Sequence, residues 1–159
     1  MKKTLESQNR KSLLEGTPDL GIRFDRLNRM LDMMISYQDQ IPDALSKDFG
    51  HRSPMASKFT DIASIFDSIH FAKKHLKKWM KPEQRSAGSP FNLLGAKAYI
   101  QYQPLGTVGV ISPWNFPFNL TFAPLAGIFS AGNRAMIKPS EITPESSNLM
   151  KKMVSEFFD

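Results

Sequence analysis

Between two prolines, the segment Pro113-Trp114-Asn115-Phe116-Pro117 sets a carboxamide directly after the apolar run Val108-Gly109-Val110-Ile111. Proline fixes its own φ and cannot donate to a β-ladder, so a strand has to end here on a stiff loop. An asparagine NH2 held on such a loop can bond to an oxygen that gains charge in a transition state, and such donors are worth about 3–4 kcal/mol. The same side chain can instead cap the helix that follows. A second polar group, Lys138-Pro139-Ser140-Glu141, closes the apolar run Ala135-Met136-Ile137. An acidic residue after the second strand of a nucleotide fold accepts hydrogen bonds from ribose hydroxyls, and a lysine there can donate to them or face a 2′-phosphate. The alternative is a polar loop with a surface ion pair. No G-x-G-x-x-G follows the first strand, so the ordinary dinucleotide fingerprint is absent.

The residue types that are missing also constrain the chemistry. The chain has no cysteine, which excludes a disulfide framework, a zinc–thiolate site and a thiolate nucleophile together. Three histidines, His51, His70 and His75, are too scattered for a metal site, and no metal is expected. The charge is +6, from 21 Lys and Arg against 15 Asp and Glu. Lys73, Lys74, Lys77, Lys78 and Lys81, interleaved with Trp79, suit either phosphate contact with base stacking or a solvated helix C-terminus favoured by the dipole. The second alternative leads us to expect no nucleic-acid partner. No apolar run approaches the roughly 20 residues of a membrane span, and no apolar core follows Met1-Lys2-Lys3. A cytoplasmic chain without a membrane partner is the expectation.

The elements that must position these loops follow from periodicity. A short polar helix before a turn at Gly16-Thr17-Pro18 is expected first. Leu20, Phe24, Leu27, Leu31 and Met34 then repeat at helical spacing. Pro42 ends or restarts that helix, and Gly50 takes a C-terminal glycine position. Ser53 and Pro54 open a long helix whose seam is Met55, Phe59, Ile62, Phe66, Ile69, Leu76 and Met80. Residues 82–96 read as a loop. Ala98, Ile100 and Tyr102 alternate as a half-exposed strand, and Thr107–Ser112 reads as a buried parallel strand. A buried helix over Leu120–Ser130, a strand over Ala135–Lys138 and a helix capped by Thr143 complete the chain. The expected class is α/β: N-terminal helices, then the first β-α-β-α of a Rossmann-like parallel sheet. Two parallel strands leave an unpaired edge and uncovered apolar surface, as at the front of a larger protein.

Taken in order, Gln103-Pro104-Leu105-Gly106, Ile111 to Pro117, Ala131-Gly132-Asn133 and Lys138 to Glu141 resemble the aldehyde dehydrogenase superfamily. Asp48 to Ser53 and the tract from Leu76 to Pro82 look most like coniferyl aldehyde dehydrogenases. The resemblance covers nearly the whole chain but only the N-terminal portion of the family, so a truncated or split enzyme is expected. In that family a cysteine thiolate attacks the aldehyde carbon, an asparagine and a backbone N–H hold the oxyanion, and NAD or NADP takes the hydride. A glutamate then activates water, giving the carboxylic acid. The resemblance implies the oxyanion role for Asn115, a cofactor wall from Ile111, Ser112, Pro113 and Trp114, and adenosine-ribose contacts from Lys138, Ser140 and Glu141. It favours NAD, with NADP retained by Lys138. It divides the chain into a helical segment (1–96), a strand or oligomerisation arm (97–106) and the start of the NAD(P)-binding domain (107–159).

With neither a cysteine nor the segments that carry the base, the isolated chain is expected to be inactive. Its expected partners are an aldehyde and either further copies of itself or a complementing C-terminal fragment. The competing reading is a non-catalytic assembly module that pairs with a full-length relative through its open edge.

Overall fold

The computed structural model describes residues 2–158. Helix α1 (Lys2–Glu15) is polar and buries none of its residues. It lies along the sheet, where Gln8 Nε2 donates to the Ala135 carbonyl at 3.1 Å and Glu15 pairs with Arg134. Helix α2 (Leu20–Tyr37) starts at Asp19, whose side chain accepts from the Ile22 N–H at 2.8 Å. Its buried face is Leu27, Met30, Met33, Met34 and Tyr37. Leu27 and Met34 of the expected stripe lie in it, while Leu20, Phe24 and Leu31 pack at its margin, partly buried.

Helix α3 (Gln40–Phe49) keeps Pro42 in its first turn, where a missing N–H costs nothing. Gly50 ends it at φ 80°, as a C-terminal glycine should. The next helix is continuous but not uniform. Helix α4 (Pro54–Ser57) runs into a π-helical stretch over Lys58–Ala63 and then into α5 (Ser64–Trp79). Wider π turns rotate each residue less than α turns do, so the seam changes phase across this stretch. That is why Met55 and Phe59, expected in the core, are 84% and 77% exposed, while Ile62, Ile65, Ile69, Ala72 and Leu76 are buried.

The expected loop over 82–96 contains a short strand, β1 (Glu83–Arg85), and a 3-10 turn at Phe91–Leu94. Strand β1 pairs antiparallel with β2 (Ala98–Ile100). Strand β3 (Thr107–Ile111) pairs parallel with β4 (Arg134–Lys138), in the register Thr107↔Arg134 to Ile111↔Lys138. Only Val110 of β3 is buried. The expected burial on both faces is not realised, because two strands cannot cover one another's faces.

Helix α6 (Pro117–Ser130) crosses between them and carries the core: Phe118, Phe122, Leu125 and Phe129 pack against α2, α5 and α7 (Pro144–Phe157). It is not buried all round. Leu120, Pro124 and Gly127, spaced at i, i+4 and i+7, leave one exposed stripe. Its C-terminal carbonyls are met by α2. Arg23 Nη1 donates to Ser130 O at 2.8 Å, and Arg26 Nη1 reaches Gly132 O and Asn133 O at 3.4 and 3.3 Å. Two cations thus satisfy the negative end of α6. Gly132 is required twice: its φ is +84°, and a Cβ there would lie 3.0 Å from the Arg23 guanidinium carbon.

The cap of α7 corrects another expectation. Thr143 occupies the N-cap position but makes no side-chain cap bond. The N–H groups of Glu145 and Ser146 instead donate to Asp48 Oδ1 and Oδ2 at 2.9 and 2.8 Å, from the end of α3. Removing this bidentate cap by Asp48→Ala is expected to cost about 1–2 kcal/mol, whereas Thr143→Ala costs much less. Urea unfolding of the two variants checks the order. Met153 of this helix is fully buried against the core.

Candidate functional site

The parallel register places Ile111 beside Lys138, and the Ser112 N–H donates to the Lys138 carbonyl at 3.0 Å. The loops after β3 and β4 therefore leave the sheet side by side at its carboxyl edge, where open α/β sheets hold ligands. Ile111 is 82% exposed there, and Trp114 is half exposed, with its ring 6.4 Å from that of Phe49. Ser112 is buried, its Oγ 2.8 Å from Thr121 Oγ1. It anchors the loop to the first turn of α6.

Asn115 is exposed, and its carboxamide makes no hydrogen bond among the described residues. It does not cap α6: Phe116 holds the N-cap position, without a side-chain cap bond. The sequence left two roles open for this side chain, and the capping role is not realised. The carboxamide is a free donor on a loop whose backbone is fixed.

At the neighbouring loop, Lys138 and Glu141 form an exposed ion pair. The hydrogen bond from Lys138, with its charge, holds the Glu141 carboxyl below the usual carboxylate range. Solvent screens an exposed pair of this kind, so it opens readily to a competing hydroxyl. Ser140 is different. It is buried, its Oγ accepts from the Ile142 N–H at 3.3 Å, and its carbonyl accepts from Ser147 Oγ at 2.8 Å. Its visible task is to hold the turn that presents Lys138 and Glu141 outward.

This donor set fits a vicinal diol, with an ammonium and a carboxylate offered together at a strand end. It does not fit a diphosphate. The N-terminus of α6 carries Pro117 in place of one N–H, and Asn119 spends its own on Asp61 at 3.3 Å. Asp61 takes the Phe118 N–H as well, so the N-terminus of α6 offers an anion no free amide pair.

Sequence reasoning missed the cluster beneath the loop. Asp61, on the π-helical stretch, has a side chain 0% exposed, and Arg52 Nη2 donates to it at 2.7 Å. The same guanidinium donates through Nη2 to Thr60 Oγ1 at 3.1 Å and through Nη1 to the Asn115 carbonyl at 3.0 Å. Asn119 Nδ2 closes the cluster on the Thr60 carbonyl at 2.9 Å. Burial pushes the Asp61 carboxyl up, against the opposing pull of the Asn119 N–H and Arg52. The available signal was one carboxylate inside an apolar helical run, next to Ile62.

Lys77 and Lys78 lie in the last turn of α5, and Trp79 stacks on His75 at 5.7 Å along the same helix. No group of metal-ligating side chains occurs among the described residues, and no helix among them is long and apolar enough to cross a membrane.

The family model for the aldehyde dehydrogenase family matches residues 18–157. A probable coniferyl aldehyde dehydrogenase of Caulobacter vibrioides is 50% identical, over 100% of this chain and 33% of its own length. A coniferyl aldehyde dehydrogenase of a Pseudomonas species is 46% identical, over 98% of this chain and 31% of its own length. A substrate-bound structure of Staphylococcus aureus AldH superposes with a TM-score of 0.91 at 34% identity, covering 99% of this chain and 34% of that one. The chain spans about a third of the length of the curated relatives it matches.

Proposed function

Because the chain belongs to the aldehyde dehydrogenase family, we propose that it supplies two parts of an aldehyde-oxidising site, the oxyanion donor and the ribose-binding edge. The nucleophile and base come from residues this chain does not contain. The observation that carries the reading is the unpartnered Asn115 carboxamide, on a clamped loop beside the exposed Lys138–Glu141 pair.

Asn115 donates its NH2 to the aldehyde oxygen as attack on the carbon moves charge onto it. The bond strengthens as that charge grows, which is what lowers a barrier rather than merely binding substrate. NAD, when bound, supplies the acceptor for the hydride leaving that carbon. Ile111, Ser112, Pro113 and Trp114 form the wall along the cofactor, with Ser112 acting through its anchor on Thr121. Lys138 and Glu141 hold the adenosine ribose, on a turn kept in shape by Ser140. Glu141 favours NAD, because a carboxylate repels a 2′-phosphate; Lys138 leaves NADP some affinity. The similarity to coniferyl aldehyde dehydrogenases points to an aromatic, coniferyl-type aldehyde as substrate and the carboxylic acid as product. The open edge of the two-stranded sheet fits either a complementing segment or further copies of this chain as partner.

Thermal unfolding of the purified chain with each cofactor tests the ribose assignment. NAD at saturating concentration is expected to raise the midpoint more than NADP does. Glu141→Ala should narrow or reverse that order. A midpoint indifferent to both cofactors, or a preference for NADP that survives Glu141→Ala, contradicts it.

A further inference from the structure

We propose that Arg52 and Asp61 are positioning residues for Asn115, a clamp built into the helix beneath the loop. The inference rests on the reading of Asn115 as the oxyanion donor and names what fixes its direction. Three successive residues of the loop, Trp114 to Phe116, are held from one point. The Arg52 guanidinium donates to the Asn115 carbonyl at 3.0 Å and lies 5.1 Å from the ring centroids of both Phe116 and Phe49. Phe49 in turn contacts Trp114. Asp61, bonded to that guanidinium on one oxygen, accepts the Asn119 N–H on the other and so fixes the first turn of α6 after Pro117. The backbone after the Asn115 Cα is set by this ion pair, with Trp114 before it held through its ring, and the Asn115 side chain is left with its own torsions.

A buried ion pair is an expensive way to hold a helix end. Replacement by apolar groups of like volume is often neutral or stabilising, so such a pair is weak evidence of a stabilising role. Its geometry here fits orientation better. The planar guanidinium fork spans a carboxylate on one side and a loop carbonyl on the other, which a single ammonium nitrogen cannot do. The carboxylate sits on the π-helical stretch, where the changed phase turns Asp61 inward while Phe59 stays exposed.

The test uses the whole 159-residue chain, labelled with 15N, and needs no turnover. The readouts are the side-chain amide of Asn115, the indole N–H of Trp114 and backbone exchange over 114–116. Arg52→Lys keeps the charge and loses the fork. Asp61→Asn keeps the shape and loses the charge. Tyr37→Phe is the control: it removes a hydroxyl that donates to Glu156, between α2 and α7, and touches no member of the cluster. Arg52→Lys and Asp61→Asn are each expected to shift both side-chain signals and to speed exchange over 114–116 by about tenfold or more, with Tyr37→Phe leaving both unchanged. Unmoved signals in both cluster variants overturn the proposal, as does an equal change in the control. An unsubstituted chain with random-coil signals at Asn115 and Trp114 also overturns it, since nothing would then be positioned. Loss of the oxyanion role, read from turnover of an assembled enzyme, leaves this result standing, so the two readings fail separately.

Discussion

Asn115→Ala, in an enzyme assembled from this chain and the remaining segments of a relative, is expected to lower kcat by about 10²–10³ with little change in KM. The expectation follows from what the side chain does not do. It caps no helix and bonds to no described residue, so its removal takes away no native hydrogen bond among them. The loop backbone is held by Arg52 through the Asn115 carbonyl, which alanine also possesses. The variant should therefore fold and bind cofactor as before. What it lacks is a donor at the point where charge develops, an interaction made in the transition state and little used in the ground state. Steady-state kinetics separate this from a binding defect: a raised KM at unchanged kcat would place Asn115 in substrate binding instead.

Phe118→Ala is expected to cost about 3–5 kcal/mol, enough to remove most of the stability of a domain of this size. Phe118 is fully buried at the start of α6, in tilted contact with Phe122 at 6.3 Å. Helix α6 is packed by α2, α5 and α7 alike, so a cavity there is shared by three interfaces and no single helix can close it. The comparison residue is Phe59, the same side chain 77% exposed on the π-helical stretch. Phe59→Ala should change stability by no more than about 0.5 kcal/mol. Sequence periodicity ranks Phe59 as core, so urea midpoints for the two variants test the packing directly.

What was legible in the sequence was local. The prolines around Asn115, the strand ends before Lys138 and the glycines at positions 50 and 132 each announce their conformation within a few residues. The α/β class and the family were read from such ordered signals, and the structure bears out both. What was not legible depends on partners far away in the chain. Asp48 caps α7 across 97 residues, and Arg52 meets Asn115 across 63. Neither pairing leaves a pattern near its own position. The phase change over Lys58–Ala63 was hidden because hydrophobic spacing assumes a uniform helix. Strand β2 was expected from its alternation, but its partner β1 was missed because a three-residue strand inside a proline- and glycine-punctuated stretch shows none. The over-read burial of β3 and α6 has the opposite origin. Their sequences are apolar enough for a covered sheet, and this chain alone does not cover them.

The measurement closest to the central claim is an NAD-reduction assay with coniferyl aldehyde on this chain alone, on the remaining two thirds of the Caulobacter relative alone, and on the two combined. The account predicts no turnover from either part and turnover from the mixture, lost again when the chain carries Asn115→Ala. Turnover by the cysteine-free chain by itself would contradict it, and so would a stable mixed complex that reduces no NAD.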